Sequence, residues 1–253
     1  MDYIFLPFRV IYKVYYLLYF IFSFIMFYPI FYYLLSDSKR FPKAFVMSRW
    51  YALLWQFFAL APVRAHGSSN IPKEGAFIIC ANHTSYMDIP VIYCLFKKYF
   101  VFIGKKEIEK WPLFHIFYTS KMNISVDRDS LSGSMEALKR MLEEIEKGHP
   151  LAIFPEGTIP KSVPVLGEFK SGAFAVAIRK QIPILPVTFV TNWKRLGRSG
   201  LWKGHAGPGF SEVVIHEAVT TTGLTKKDAD SLQKRVRMTI NIPLKERYGC
   251  DIL

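Results

Sequence analysis

Cysteine is scarce in this sequence. Cys80, Cys94 and Cys250 are scattered, odd in number and form no CxxC. That argues against a disulfide framework, a dithiol redox centre and a cysteine zinc site, and suits reduced thiols in a cytosolic body. Acidic residues are also few, 20 against 33 Lys and Arg, for a net charge of +13. The imbalance favours anionic partners: nucleic acid, anionic lipid, a phosphorylated substrate or an acidic carrier protein. There is no RNP-type aromatic motif, zinc-finger spacing or helix-turn-helix signature, so nucleic acid is not an expected partner. A GxSxG elbow is missing, which removes support for a serine hydrolase. Internal repeats and low-complexity linkers are missing as well, so nothing in the composition cuts the chain into an array.

Long apolar runs, by contrast, are present. Val14 to Leu35 carries no charge. At about 1.5 Å per residue it is long enough for a hydrocarbon core of about 30 Å. Pro29 is expected to kink it, which membrane helices tolerate. The run is too long for a signal peptide and no small-residue cleavage site follows. A basic connector with Lys39, Arg40 and Lys43 leads to a second apolar stretch, Ala44 to Val63, broken by Arg49 and Gln56. Pro42 suits its start and Pro62 its end. This stretch either spans, or lies in the interface with Arg49 snorkelling to water. Arg9 and Lys13 precede the first run, so positive charge flanks it on both sides and topology stays open. The reduced thiols and basic body favour placing the rest of the chain on the cytoplasmic side of a membrane.

From Arg64 onward short apolar runs alternate with amphipathic stretches. Strands are expected at Ala76 to Ala81, Tyr99 to Gly104, Met122 to Val126, Leu151 to Phe154, Ile184 to Val190 and Glu212 to His216. Continuously apolar strands separated by helices imply an α/β fold with helices on both faces of a mixed, mostly parallel sheet. Ser134 to Lys147 places Met135, Leu138, Leu142 and Ile145 on one helical face, with Gly148 past its end and an expected Glu143–Lys147 pair. Thr225 and Asp228 form a capping box for a last helix lined by Leu232, Val236 and Ile240.

The chemistry concentrates in Ala81-Asn82-His83-Thr84-Ser85-Tyr86-Met87-Asp88, which follows a strand and opens an apolar helix. Five residues apart on one helix, His83 and Asp88 would diverge by about 140°. A contact therefore needs His83 in the turn and Asp88 in the first helical turn, with Thr84 or Ser85 as N-cap. Such strand C-termini collect ligands in α/β sheets. Asp88 would then fix the tautomer of His83, leaving Nε2 to deprotonate a substrate hydroxyl. The alternative is structural: His83 capping a helix and Asp88 resting on its dipole. No second His or Cys sits at ligand spacing, so no metal is expected.

Asn82-His83 with Asp88 resembles the NHxxxxD motif of the glycerolipid acyltransferase family, which includes the 1-acylglycerol-3-phosphate acyltransferases. Four further blocks follow in the family's order: Asn123 to Arg128, the FPEGT run Phe154 to Thr158, the FKxGAF run Phe169 to Phe174, and the strand Ile182 to Val187 with its two prolines. The resemblance covers roughly residues 64 to 220. It implies transfer of an acyl chain from acyl-CoA or an acyl-carrier protein to a lysophospholipid acceptor at a bilayer, without cofactor or metal. His83 and Asp88 would be catalytic; Asn82, Arg128, Glu156, Gly157, Thr158, Lys170 and Lys105 would bind substrate. Residues 1–63 would be membrane-anchoring helices and residues 64–253 the α/β acyltransferase domain. The departure is Ile159, where the family usually has Arg. An apolar side chain holds no phosphate, so another lyso-lipid, for example an amino-acid-containing one, stays open as acceptor. A non-catalytic lipid-binding surface is the rival of another class.

Overall fold

A computed structural model describes residues 6–127 and 130–249. Its helices are α1 (Leu6–Leu35), α2 (Phe41–Phe58), α3 (Asp88–Leu95), α4 (Ile116–Thr119), α5 (Leu131–Glu146), α6 (Gly172–Lys180), α7 (Asn192–Arg195) and α8 (Ala229–Tyr248). The strands are β1 (Val63–His66), β2 (Ile78–Ala81), β3 (Val101–Lys105), β4 (Ile124–Val126), β5 (Leu151–Ile153), β6 (Ile184–Phe189) and β7 (Ser211–Ile215). They form one sheet in the order β1-β7-β6-β2-β5-β3-β4. Strands β6, β2, β5, β3 and β4 run parallel, β7 is antiparallel to β6, and β1 is parallel to β7.

The central strands are apolar throughout because both sheet faces are covered. In β2, Ile79 and Ala81 join a cluster with Phe24, Phe31 and Phe45 of α1 and α2. Their neighbours Ile78 and Cys80 point the other way, into a cluster with α5, α6 and α8. The period-two alternation of a strand thus feeds two cores. Phe24 and Phe31 are essentially inaccessible, and burying each is worth roughly 1.5–3 kcal/mol. The N-terminal helices therefore share a core with the sheet.

The expected strands at all six positions are present. Strand β1 was not anticipated: Val63-Arg64-Ala65-His66 is short and half polar, and exposes Arg64 and His66 as an edge strand does. Several local expectations need correction. Lys13 does not flank α1 in water; it is buried, and its Nζ donates to the carbonyls of Gly200 at 2.8 Å and of Lys203. Arg49 does not snorkel outward; its Nε donates to the Tyr93 carbonyl near the end of α3 at 3.1 Å. Met135 is exposed, and Ala137 takes the buried place on α5. Lys147 pairs with Glu144 at 2.7 Å instead of with Glu143. The capping box at Thr225 and Asp228 is formed, and Leu232, Val236 and Ile240 are buried.

Candidate active site

The site grows from the end of β2, at the middle of the sheet. Beyond Ala81, Asn82 continues the ladder with its side chain: Nδ2 donates to the Phe189 carbonyl at 3.2 Å, and Oδ1 accepts from the Phe189 N–H at 2.7 Å. The chain then leaves the sheet in a turn organised by two carboxylates. Glu156 Oε1 accepts from the His83 N–H at 2.7 Å and Oε2 from the Gly167 N–H at 2.6 Å. A Cβ at Gly167 would lie 2.8 Å from Glu156 Oε2, so a glycine there lets the backbone come close.

The second carboxylate is Asp88, fully buried at the first residue of α3. Its Oδ2 lies 2.9 Å from His83 Nδ1 and accepts the backbone N–H groups of Thr84 at 2.5 Å and Ser85 at 2.8 Å. Its Oδ1 accepts from Thr84 Oγ1 at 3.2 Å and Asn192 Nδ2 at 2.8 Å. An acceptor-only carboxylate facing Nδ1 places the ring proton on that nitrogen. The imidazole also stacks on Phe154, centroids 4.0 Å apart and planes at 12°. Its orientation is thus set from the edge and from the face.

Thr84 and Ser85 do not cap α3 as expected. The N-cap position is Met87, without a side-chain cap. Ser85 Oγ accepts from the Met87 N–H at 3.0 Å and donates to the Leu196 carbonyl at 2.6 Å. Roles are reversed: the helix's first side chain caps the preceding turn.

His83 lines a cleft of about 260 Å³ with Lys105, Phe154, Gly157, Thr158 and Arg198. Gly157 has φ +69°, in the left-handed region that favours glycine. Lys105 is at the C-terminal end of β3. Asn82 and Glu156 stand behind the cleft, not in it. Both are buried, and their polar atoms are committed to backbone. Asn82, expected as a substrate ligand, clamps β6, and Glu156, expected beside the glycerol, holds the turn. Burial pushes the Glu156 carboxyl up to about 7, against the opposing pull of the His83 and Gly167 N–H donors. Lys170, also expected to bind substrate, lines not this cleft but an adjoining cavity of about 830 Å³ among Leu138, Met141 and Val176. Arg128 lies outside the described residues. No three His, Cys, Asp or Glu side chains converge into a metal cage among the described residues.

Two site residues escaped sequence reasoning. Asn192, fully buried, bonds Asp88 from just beyond β6. A polar Thr-Asn pair straight after an apolar strand was the available signal, since strand C-termini gather sites. Arg198 reaches the cleft from the loop after α7, where nothing local marks it.

A family model described as Acyltransferase matches residues 62–190, half of the chain. The chain belongs to the acyltransferase family. This acyltransferase is 32% identical over 186 residues to the 1-acyl-sn-glycerol-3-phosphate acyltransferase of Helicobacter pylori, covering 72% of the chain and 75% of that protein. It is 29% identical over 172 residues to a chloroplastic 1-acyl-sn-glycerol-3-phosphate acyltransferase of Arabidopsis thaliana, covering 66% of the chain and 47% of the relative. The chain thus spans only about half the length of the plant relative. The crystal structure of the 1-acyl-sn-glycerophosphate acyltransferase PlsC from Thermotoga maritima shares the fold, with a TM-score of 0.73 at 24% identity over 97% of both chains.

Proposed function

We propose that this acyltransferase moves a fatty acyl chain from an acyl thioester to the 2-hydroxyl of 1-acyl-sn-glycerol 3-phosphate, forming phosphatidate. The observation that carries the reading is the His83 Nδ1–Asp88 Oδ2 contact of 2.9 Å at the wall of a cleft with basic side chains. With Nδ1 occupied, Nε2 takes the proton of the acceptor hydroxyl as its oxygen attacks the thioester carbonyl carbon. The C–S bond breaks, the new ester C–O bond remains, and the imidazolium returns the proton to the leaving thiolate. Asp88 stabilises the imidazolium between these steps. The names of the relatives support the acceptor. The wider, mostly apolar cavity shares Ile103 and Phe154 with the His83 cleft, and suits an acyl chain.

Residues 1–63 anchor the catalytic part, residues 64–253, to the membrane, with the site on the cytoplasmic side. Among the described residues α1 is the one helix long and apolar enough to cross a bilayer. It nevertheless touches the α/β body near both ends. Lys13 bonds the loop at Gly200, and Phe31 packs on Phe117 with centroids 5.2 Å apart. Those residues are about 27 Å apart along the axis, so a helix crossing the bilayer would separate one contact from the body. The helix therefore lies in the interface, with Phe8, Phe22 and Met26 exposed on it and Trp50 and Phe57 exposed on α2.

The test is thiol release from acyl-CoA and from acyl-carrier protein by purified protein in detergent, with and without lysophosphatidate. Acceptor-dependent release that falls at least about 100-fold in His83→Ala supports the reading. Release that depends instead on an amino-acid-containing lyso-lipid would move the assignment to that acceptor. Release that persists in His83→Ala would remove the base mechanism.

A further inference from the structure

Position 159 contributes no charge to the cleft. Ile159 is buried, and what it presents to its neighbour is its backbone carbonyl. The Nη1 of Arg198 donates to that carbonyl and lines the cleft beside His83 and Lys105. Arg198 sits on an exposed loop in the sequence sense, yet the loop is tied down at several points. Asn192 bonds Asp88, and the Leu196 carbonyl accepts from Ser85. Leu196 also bridges to Ala206, and Lys13 of α1 holds the carbonyls of Gly200 and Lys203. The segment from Asn192 to Gly204 is thus bonded to the orienting carboxylate, to the catalytic turn and to the membrane-facing helix.

We propose that Arg198 is the acceptor-headgroup residue of this enzyme: its guanidinium, anchored on the Ile159 carbonyl, grips the phosphate monoester of the lysophospholipid while the 2-hydroxyl lies against His83. This rests on the acyltransferase reading of the same cleft. One N–H of the planar fork is spent on the carbonyl and the others remain to pair with phosphate oxygens. Lys105 adds a second positive charge from the end of β3. The selectivity that follows is for a dianionic phosphate monoester over a zwitterionic phosphodiester, because the latter brings a cation to meet two others.

Steady-state kinetics of wild type, Arg198→Ala and Arg198→Lys test this, with glycerol 3-phosphate as a competitor against the acceptor. In Arg198→Ala the KM for lysophosphatidate and the Ki of glycerol 3-phosphate should both rise about 10- to 100-fold, the scale of a lost charge-assisted hydrogen bond. The KM for the thioester should move less than about 3-fold, and Arg198→Lys should recover part of the loss, since an ammonium keeps the charge but not the fork. Unchanged acceptor KM and Ki would overturn the inference while leaving the acyltransferase reading intact. A rise confined to the thioester KM would also overturn it, assigning Arg198 to the donor's phosphates. A wild type without lysophosphatidate-dependent release would overturn both.

Discussion

Replacing Asp88 separates its hold on the turn from the role proposed for it in charging the His83 dyad. In Asp88→Ala the Thr84 and Ser85 N–H groups, His83 Nδ1–H and the Asn192 amide lose their acceptor in a fully buried site. At about 1–3 kcal/mol for each stranded donor, the loss is at least roughly 4 kcal/mol. That is a large part of a stability of about 5–15 kcal/mol, so Asp88→Ala should be poorly folded. Asp88→Asn is different. Its side-chain oxygen can take the Oδ2 place and keep three donors satisfied. Its NH2 then faces Thr84 Oγ1, a rotatable hydroxyl, and Asn192, whose Oδ1 has no partner among the described residues. An Asn192 flip would supply the acceptor. The turn should therefore survive with a loss of about 2–4 kcal/mol, the difference between charged and neutral acceptors. The imidazolium loses its counter-charge, and kcat should fall about 10²- to 10⁴-fold. Thermal unfolding and thiol-release kinetics on the two variants separate these effects. Asp88→Asn with kcat within about 3-fold of wild type would refute the electrostatic role. Asp88→Ala melting with the wild type would refute the hydrogen-bond account.

Two further outcomes follow from the carboxylate and amide behind the cleft. The Glu156 carboxyl, raised from its ordinary 4.5 to about 7, binds a proton in the folded state that the unfolded chain has lost. Its contribution is therefore greatest at low pH and declines as pH rises from about 4.5 through 7, by on the order of 3 kcal/mol at about 1.4 kcal/mol per unit. Glu156→Gln should flatten this part of the melting-temperature profile; parallel profiles for mutant and wild type would contradict it. Asn82→Ala should strand the buried N–H and carbonyl of Phe189, costing about 2–5 kcal/mol. The acceptor KM of the folded fraction should stay within about 3-fold, whereas a large rise in that KM would put Asn82 in the substrate site.

The amino-acid pattern alone determined six of the seven described strands, because a strand covered on both faces must be apolar at every position, as in Ile78 to Ala81 and Ile184 to Phe189. It also determined that His83 and Asp88 could meet only across a strand-to-helix turn, since their spacing forbids a contact within one helix. Strand β1 was illegible because an edge strand needs no apolar run. Tertiary structure alone decided which polar residues line the cleft. Asn82 and Glu156 sit in the motif blocks, yet their hydrogen bonds reach residues 107 and 73 positions away, and no local pattern encodes such partners. It also brought Asn192 to Asp88 across 104 residues and Arg198 to Ile159 across 39. Periodicity reports the face a side chain shares with its neighbours. Which distant carbonyl or carboxylate awaits it there is set by the order of strands in the sheet.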